Sequence, residues 1–136
     1  MRSLFDDVIS ALTDGTYSFT VSVRKPHDAS PKTYPMLVVT EIDNTPLNHA
    51  TVSGEDRTVL SYQVDIYTTD CVDDADAVVS KFDAGRILAG EVTDVLETEF
   101  KMVRRSITPV DFTTDVYRHI WRGGCVLDSY GYSYRQ

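Results

Sequence analysis

The spacing of apolar residues along the chain switches between two periods, 3.6 and 2, and each switch marks an element. Leu4, Val8, Ile9 and Leu12 share one helical face, opened by Ser3 with Asp6 as a capping pair and closed by Asp14-Gly15. Tyr17, Phe19, Val21 and Val23 then alternate with Ser18, Thr20 and Ser22, the mark of a half-buried strand. Residues 24–35 carry three prolines and mixed charge and read as a loop. Met36 to Ile42 is a second strand, apolar on both faces, which suits a central position. Asp43 to Arg57 reads as one long polar connection, and a loop of about fifteen residues in a small domain is usually functional or mobile. Thr58 to Thr68 is the clearest strand, with Leu60, Tyr62, Val64 and Ile66 facing one way and Ser61, Gln63 and Asp65 the other.

The period then returns to helical. Asp70, Asp73 and Asp74 stand where a helix N-terminus belongs, since acids there complement its dipole. Ala75, Val78, Phe82, Gly85, Ala89, Val92 and Leu96 follow as a continuous apolar stripe. Unbroken from Val72 to Phe100, this helix would be roughly 43 Å long, against an expected radius of gyration of ~14 Å. A break or bend near Gly85 or Gly90 is therefore expected. Two more strands follow, about Met102 to Ile107 and Val116 to Leu127, with Pro109 in the turn region and Gly123-Gly124 as a bulge or strand end. Tyr130, Tyr132 and Tyr134 lie in a C-terminal tail, residues 128–136. The expected fold class is α+β, a single domain over residues 1–127. It is a mainly antiparallel sheet of four to five strands, with an N-terminal helix and one long or broken helix packed on one face.

Composition changes this picture little; charge changes it more. The chain has 136 residues, 42% of them hydrophobic and 25% charged, as in ordinary globular proteins. Its net charge of −8 disfavours general phosphate binding. Lys101 with Arg104 and Arg105, and Arg118 with Arg122, are local exceptions that read as exposed strand faces. Cys71 and Cys125 have no CxxC or Cys/His context, so they read as free thiols in a reducing compartment. The N-terminus does not read as a signal peptide, and no apolar run is long enough to span a membrane.

Candidate chemistry is thin. Asp70, Asp73, Asp74 and Asp76 fail the calcium-loop pattern, because Ala75 stands at the sixth position and Lys81 at the twelfth. His27, His49 and His119 have no nucleophile elbow beside them, and no glycine-rich phosphate loop follows a strand. No enzyme, metal or cofactor is expected. A long polar loop, an aromatic tail and strand edges point instead to an interaction protein.

One set of segments is similar to a known family. Tyr34-Pro35-Met36-Leu37-Val38-Val39 enters a strand, followed by Glu41-Ile42-Asp43-Asn44 and the polar loop. The strand Ser61-Tyr62-Gln63-Val64-Asp65-Ile66-Tyr67 and an acidic-start helix come next, then Pro109-Val110-Asp111 and Asp115-Val116-Tyr117-Arg118. Over residues 34–127 this order resembles the tail-terminator, or tail-completion, proteins of long-tailed bacteriophages. The resemblance implies a structural virion protein, assembled in the host cytoplasm as a homo-oligomeric ring, a hexamer. That ring would cap the head-proximal end of the tail tube and meet tail-tube and head-completion proteins, with DNA only passing through its lumen. Another head–tail connector ring is the alternative, followed by a small enzyme using His119 and by an adaptor. Interface candidates are the loop residues Asp43, Asn44, Asn48, His49, Glu55, Asp56 and Arg57, and the tail residues Tyr130, Tyr132 and Tyr134. A further pair of complementary sides is formed by Asp70, Asp73 and Asp74 against Arg104 and Arg105.

Overall fold

Most of the period-two segments become strands and most of the period-3.6 segments helices in the computed structural model, which describes residues 4–26, 33–46, 57–72, 75–128 and 133–134. The order is α1 (Leu4–Asp14), β1 (Ser22–Arg24), β2 (Met36–Pro46), β3 (Arg57–Thr68), β4 (Cys71–Val72), β5 (Val78–Val79), α2 (Lys81–Phe100), β6 (Val103–Asp111), β7 (Tyr117–Asp128) and β8 (Ser133–Tyr134). The main sheet runs β1-β2-β3-β7-β6, with β8 paired to β7. β1 joins β2 in parallel and the other pairs are antiparallel. β4 and β5 form a separate ribbon. This is the expected α+β class.

Both helices cover the same face of the sheet. On that face Val64 of β3 lies opposite Trp121 of β7, and Tyr62 stands two positions along. Phe5 of α1 stacks over Tyr62 with ring centroids 6.5 Å apart. Thr93 of α2 accepts a hydrogen bond from the Trp121 indole at 3.0 Å. Leu60, Val64, Ile66, Leu37 and Val39 from the sheet meet Val8 and Leu12 of α1 and Leu88, Val92 and Leu96 of α2 in one core. Each such aliphatic side chain contributes roughly 1.5–3 kcal/mol by leaving water.

The second helix starts later than its apolar stripe suggests. Ser80 caps it by accepting from the Asp83 N–H, so Ala75 and Val78 lie outside, and Val78 is exposed. Twenty residues span about 30 Å, so the helix fits the domain without the expected break at Gly85 or Gly90. Its end is a left-handed Lys101, whose N–H returns to Glu97 O, followed by Met102 N–H to Leu96 O and burial of Met102 in the core. Asp70 does not open the helix, yet its carboxylate accepts the Lys81 N–H at 2.8 Å and satisfies one donor of the first turn.

Four other expectations shift. The alternation from Tyr17 to Val23 still directs Phe19 inward, but ladder pairing covers only Ser22–Arg24. Upstream, the Ser18 N–H goes to the Glu91 carboxylate of α2 instead of a neighbouring strand. β2 runs on to Pro46 instead of ending at Ile42, and it is an interior strand between β1 and β3, as its apolar faces suggest. Pro109 sits within β6, opposite His119, where an edge strand tolerates a missing donor. Gly123 and Gly124 lie inside β7, and the bulge falls across the ladder on β6.

Candidate interaction face of the sheet

No described helix covers the second face of the sheet, and the outward residues of β3 are engaged there one after another. Ser61 accepts from Arg105 Nη1 at 3.3 Å, and Gln63 accepts from Arg122 Nε at 3.0 Å. Gln63 donates in turn to the Asp65 carboxylate at 3.1 Å. Arg118 gives both Nε and Nη2 to Asp65 Oδ1, at 3.1 and 2.7 Å. The Arg118 guanidinium also lies 5.7 Å from the centre of the Tyr67 ring, which packs on Phe112. Asp65 is only 6% exposed although it points away from the core, because these neighbours cover it. The result is a fixed polar array, not a loose row of solvated charges.

Two bulges shape one end of this face. β2 slips register between Glu41 and Asp43, leaving Ile42 out of the ladder, and β6 slips between Arg104 and Ser106, leaving Arg105 out. Both fall at the level where Tyr62 faces Gly123. Bulges bend a strand and re-aim its side chains, and Ile42 is 55% exposed here. Between the two bulges lies a cleft of about 430 Å³ lined by Ile42, Ser61, Gln63, Arg105, Ser106 and Arg122. Beside it β7 requires glycine: a Cβ on Gly123, which borders the cleft, would stand 2.5 Å from Val103 O and 2.6 Å from the Trp121 ring, and one on Gly124 2.1 Å from Leu60 O.

The residues singled out in the sequence are scattered over this structure. Arg105 lies in the cleft, while Arg104 is exposed on β6 opposite Gly123. Asp70 is at the other end of the sheet, beyond Thr68, roughly 23 Å along β3 from the level of Ser61. Asp43, Asn44 and Arg57 are not loop residues; they continue the ladder, opposite Ser61, Leu60 and Asp128. Tyr134 is not in a free tail either, since β8 pairs it with Val126. Asn48, His49, Glu55, Asp56, Asp73, Asp74, Tyr130 and Tyr132 lie outside the described residues. Gln63, Asp65, Arg118 and Arg122 were legible only as an exposed strand face, since alternation assigns a side but not a partner.

His119 lies under α2 at 2% exposure, and neither ring nitrogen has a hydrogen-bond partner among the described residues. Gly85 makes room for it: a Cβ there would stand 2.2 Å from His119 Nδ1. Burial, and secondarily the Arg86 charge, lower its pKa from the ordinary 6.5. With no acid on either nitrogen, the residue is not built as an acid–base pair. Among the described residues no cluster of His, Cys, Asp or Glu could hold a metal, and no helix is long and apolar enough to cross a membrane. Among the described residues neither Cys71 nor Cys125 forms a disulfide.

The fold and this face define an α+β protein with a helix-covered core side and an arginine-bearing open side. No protein-family model matches the chain, and no curated protein matches it in sequence.

Proposed function

We propose that this chain is a structural ring subunit of a long-tailed bacteriophage particle, the tail terminator that closes the head-proximal end of the tail tube. The observation that carries the reading is the helix-free sheet face, where Ser61, Gln63, Asp65 and Tyr67 are locked by Arg105, Arg122, Arg118 and Phe112. Such an array is preorganised for a protein neighbour. The element order over residues 34–127, on which the family resemblance rests, supports the same reading: two strands, a long helix and two strands, with only two-residue strands added before the helix.

In this reading each subunit offers two different sides, so contacts are heterologous and close into a ring. The net charge of −8 keeps the ring from holding the DNA that passes its lumen. The end of the β2–β3 hairpin, beyond Pro46 and before Arg57, docks onto the tube. Co-assembly with tail-tube protein, followed by electron microscopy, tests this: tubes of defined length with one capped end are expected. Shortening the connection over residues 47–56 should leave the melting curve intact and abolish capping. Normal capping by that variant would refute the docking assignment, and uncapped tubes with the wild-type chain would refute the terminator reading.

A further inference from the structure

We infer that the cleft between Ile42, Arg105 and Arg122 receives a second copy of this chain, which enters it with the acidic groove between its α1 and α2. The contact deepens the ring reading above and rests on it.

The cleft asks for a carboxylate. Arg122 donates through Nε to Gln63, and its two Nη groups meet no described side chain. Ser61 and Ser106 add hydroxyls, and the bulged Ile42 supplies an apolar wall. A planar guanidinium fork beside hydroxyls matches the geometry of a carboxylate.

The carboxylates that fit are on the opposite side of the same molecule. A groove of about 410 Å³ between the helices is lined by Ala11, Asp14, Asp94, Val95, Thr98 and Glu99. Asp14, Asp94 and Glu99 make no hydrogen bond or ion pair through their side chains to any described residue. Both helices end at this groove, and neither has a basic residue in its last turn, although Lys101, which caps α2, borders an adjoining hollow with Asp94, Glu97 and Thr98. Acids at the negative end of a helix dipole are unfavourable in the isolated subunit, and a cation from outside reverses the sign of that effect. Asp70, by contrast, is already engaged in capping α2.

The layout makes both contacts possible at once. The cleft opens on the helix-free face and the groove lies in the helix layer, so one subunit can give its groove to one neighbour and its cleft to the next. Strand addition at β6 is blunted by Pro109 and by the Arg105 bulge, which leaves side chains to hold the partner.

The experiment is a charge swap read by native mass spectrometry and sedimentation across a concentration series. Arg105→Glu/Arg122→Glu should weaken self-association at least tenfold, and Asp94→Lys/Glu99→Lys should do the same. All four side chains are exposed, so both variants should stay folded; the groove variant should melt with wild type, and the cleft variant slightly below it because the Arg105–Ser61 and Arg122–Gln63 hydrogen bonds are lost. An equimolar mixture of the two variants should associate again, because each reversed surface then meets its complement. The inference is overturned if neither variant alters association, if only the cleft variant does, if the mixture fails to recover, or if the wild-type chain stays monomeric both alone and with tail-tube protein present. Binding of a short DNA duplex by wild type, lost in the cleft variant, would reassign the cleft to phosphate. Tube capping that survives both variants would retain the ring reading and discard this interface.

Discussion

Gly85 and Gly90 lie in the same helix, five residues apart, and the same substitution should have opposite effects at the two. An interior Gly→Ala change favours a helix by about 1 kcal/mol. At Gly90 no atom of the described residues lies within 4 Å of the new Cβ, so the full gain is expected. At Gly85 the Cβ would stand 2.2 Å from His119 Nδ1 and 2.4 Å from Cε1. Ordinary contact needs more than 1 Å of additional separation. The imidazole has no room to give it, with Tyr117 at 5.1 Å and Phe82 at 5.9 Å between ring centroids. Overpacking of this kind costs about 1–3 kcal/mol, and the upper part of that range applies to so large an overlap. Subtracting the helix gain leaves Gly85→Ala about 1–2 kcal/mol less stable than wild type. With an unfolding entropy of about 2.1 cal/mol/K per residue, 1 kcal/mol corresponds to ~3–4 °C in Tm for a chain of 136 residues. Urea titrations and thermal melts should therefore place Gly90→Ala about 3 °C above wild type and Gly85→Ala roughly 4–7 °C below it. His119→Ala should relieve most of the Gly85→Ala penalty in a double-mutant cycle. If Gly85→Ala proves as stable as Gly90→Ala, His119 does not occupy the position described.

Three further outcomes follow from the core and the open face. Folding holds His119 below its ordinary 6.5, so between its folded value and 6.5 the unfolded chain binds more protons. Stability should be full above about pH 6.5 and fall as the pH drops toward the folded value, by at most about 1.4 kcal/mol per unit from this group. His119→Leu should remove that component, and an unchanged slope in denaturation at pH 5–7 would contradict the assignment. Thr93→Val leaves the buried Trp121 indole N–H without its acceptor and should lower stability by about 1–3 kcal/mol, with Thr93→Ser close to wild type. Arg118→Ala strands a carboxylate whose side chain is only 9% exposed. The loss should be about 1–3 kcal/mol, below that of a fully buried pair because Arg118 itself reaches solvent. Asp65→Asn in the same chain should recover part of it, and no recovery would show that the charge is not the cause.

The fold was legible wherever one local pattern decides an element. Alternation in β3 sorts Leu60, Tyr62, Val64 and Ile66 from Ser61, Gln63 and Asp65 without knowledge of any partner strand, and the core follows that sorting. Where an element depends on distant groups, the pattern misleads. Ala75 and Val78 continue the helical stripe, but the β4–β5 ribbon and the Ser80 cap start α2 only at Lys81. Asp43 and Asn44 read as loop because their composition is polar, yet their backbone pairs with Ser61 and Leu60. The candidate site was legible only in part, for the same reason. Arg105 stands out as a basic residue, but its place in a cleft depends on two register slips and on Gly123-Gly124, which come from four strands meeting at one level. Nor does periodicity show that the acids ending α1 and α2 share a groove, since that follows from how the helices pack.

In the proposed assembly this chain closes into a ring on its own open sheet face. The most direct test is the mass of the purified protein by native mass spectrometry across a wide concentration range, alone and with tail-tube protein present. One discrete closed oligomer, a hexamer, is expected, formed alone or on the tube and lost when Arg105 and Arg122 are reversed to Glu. A monomer that persists at every concentration and never joins a tube would contradict it.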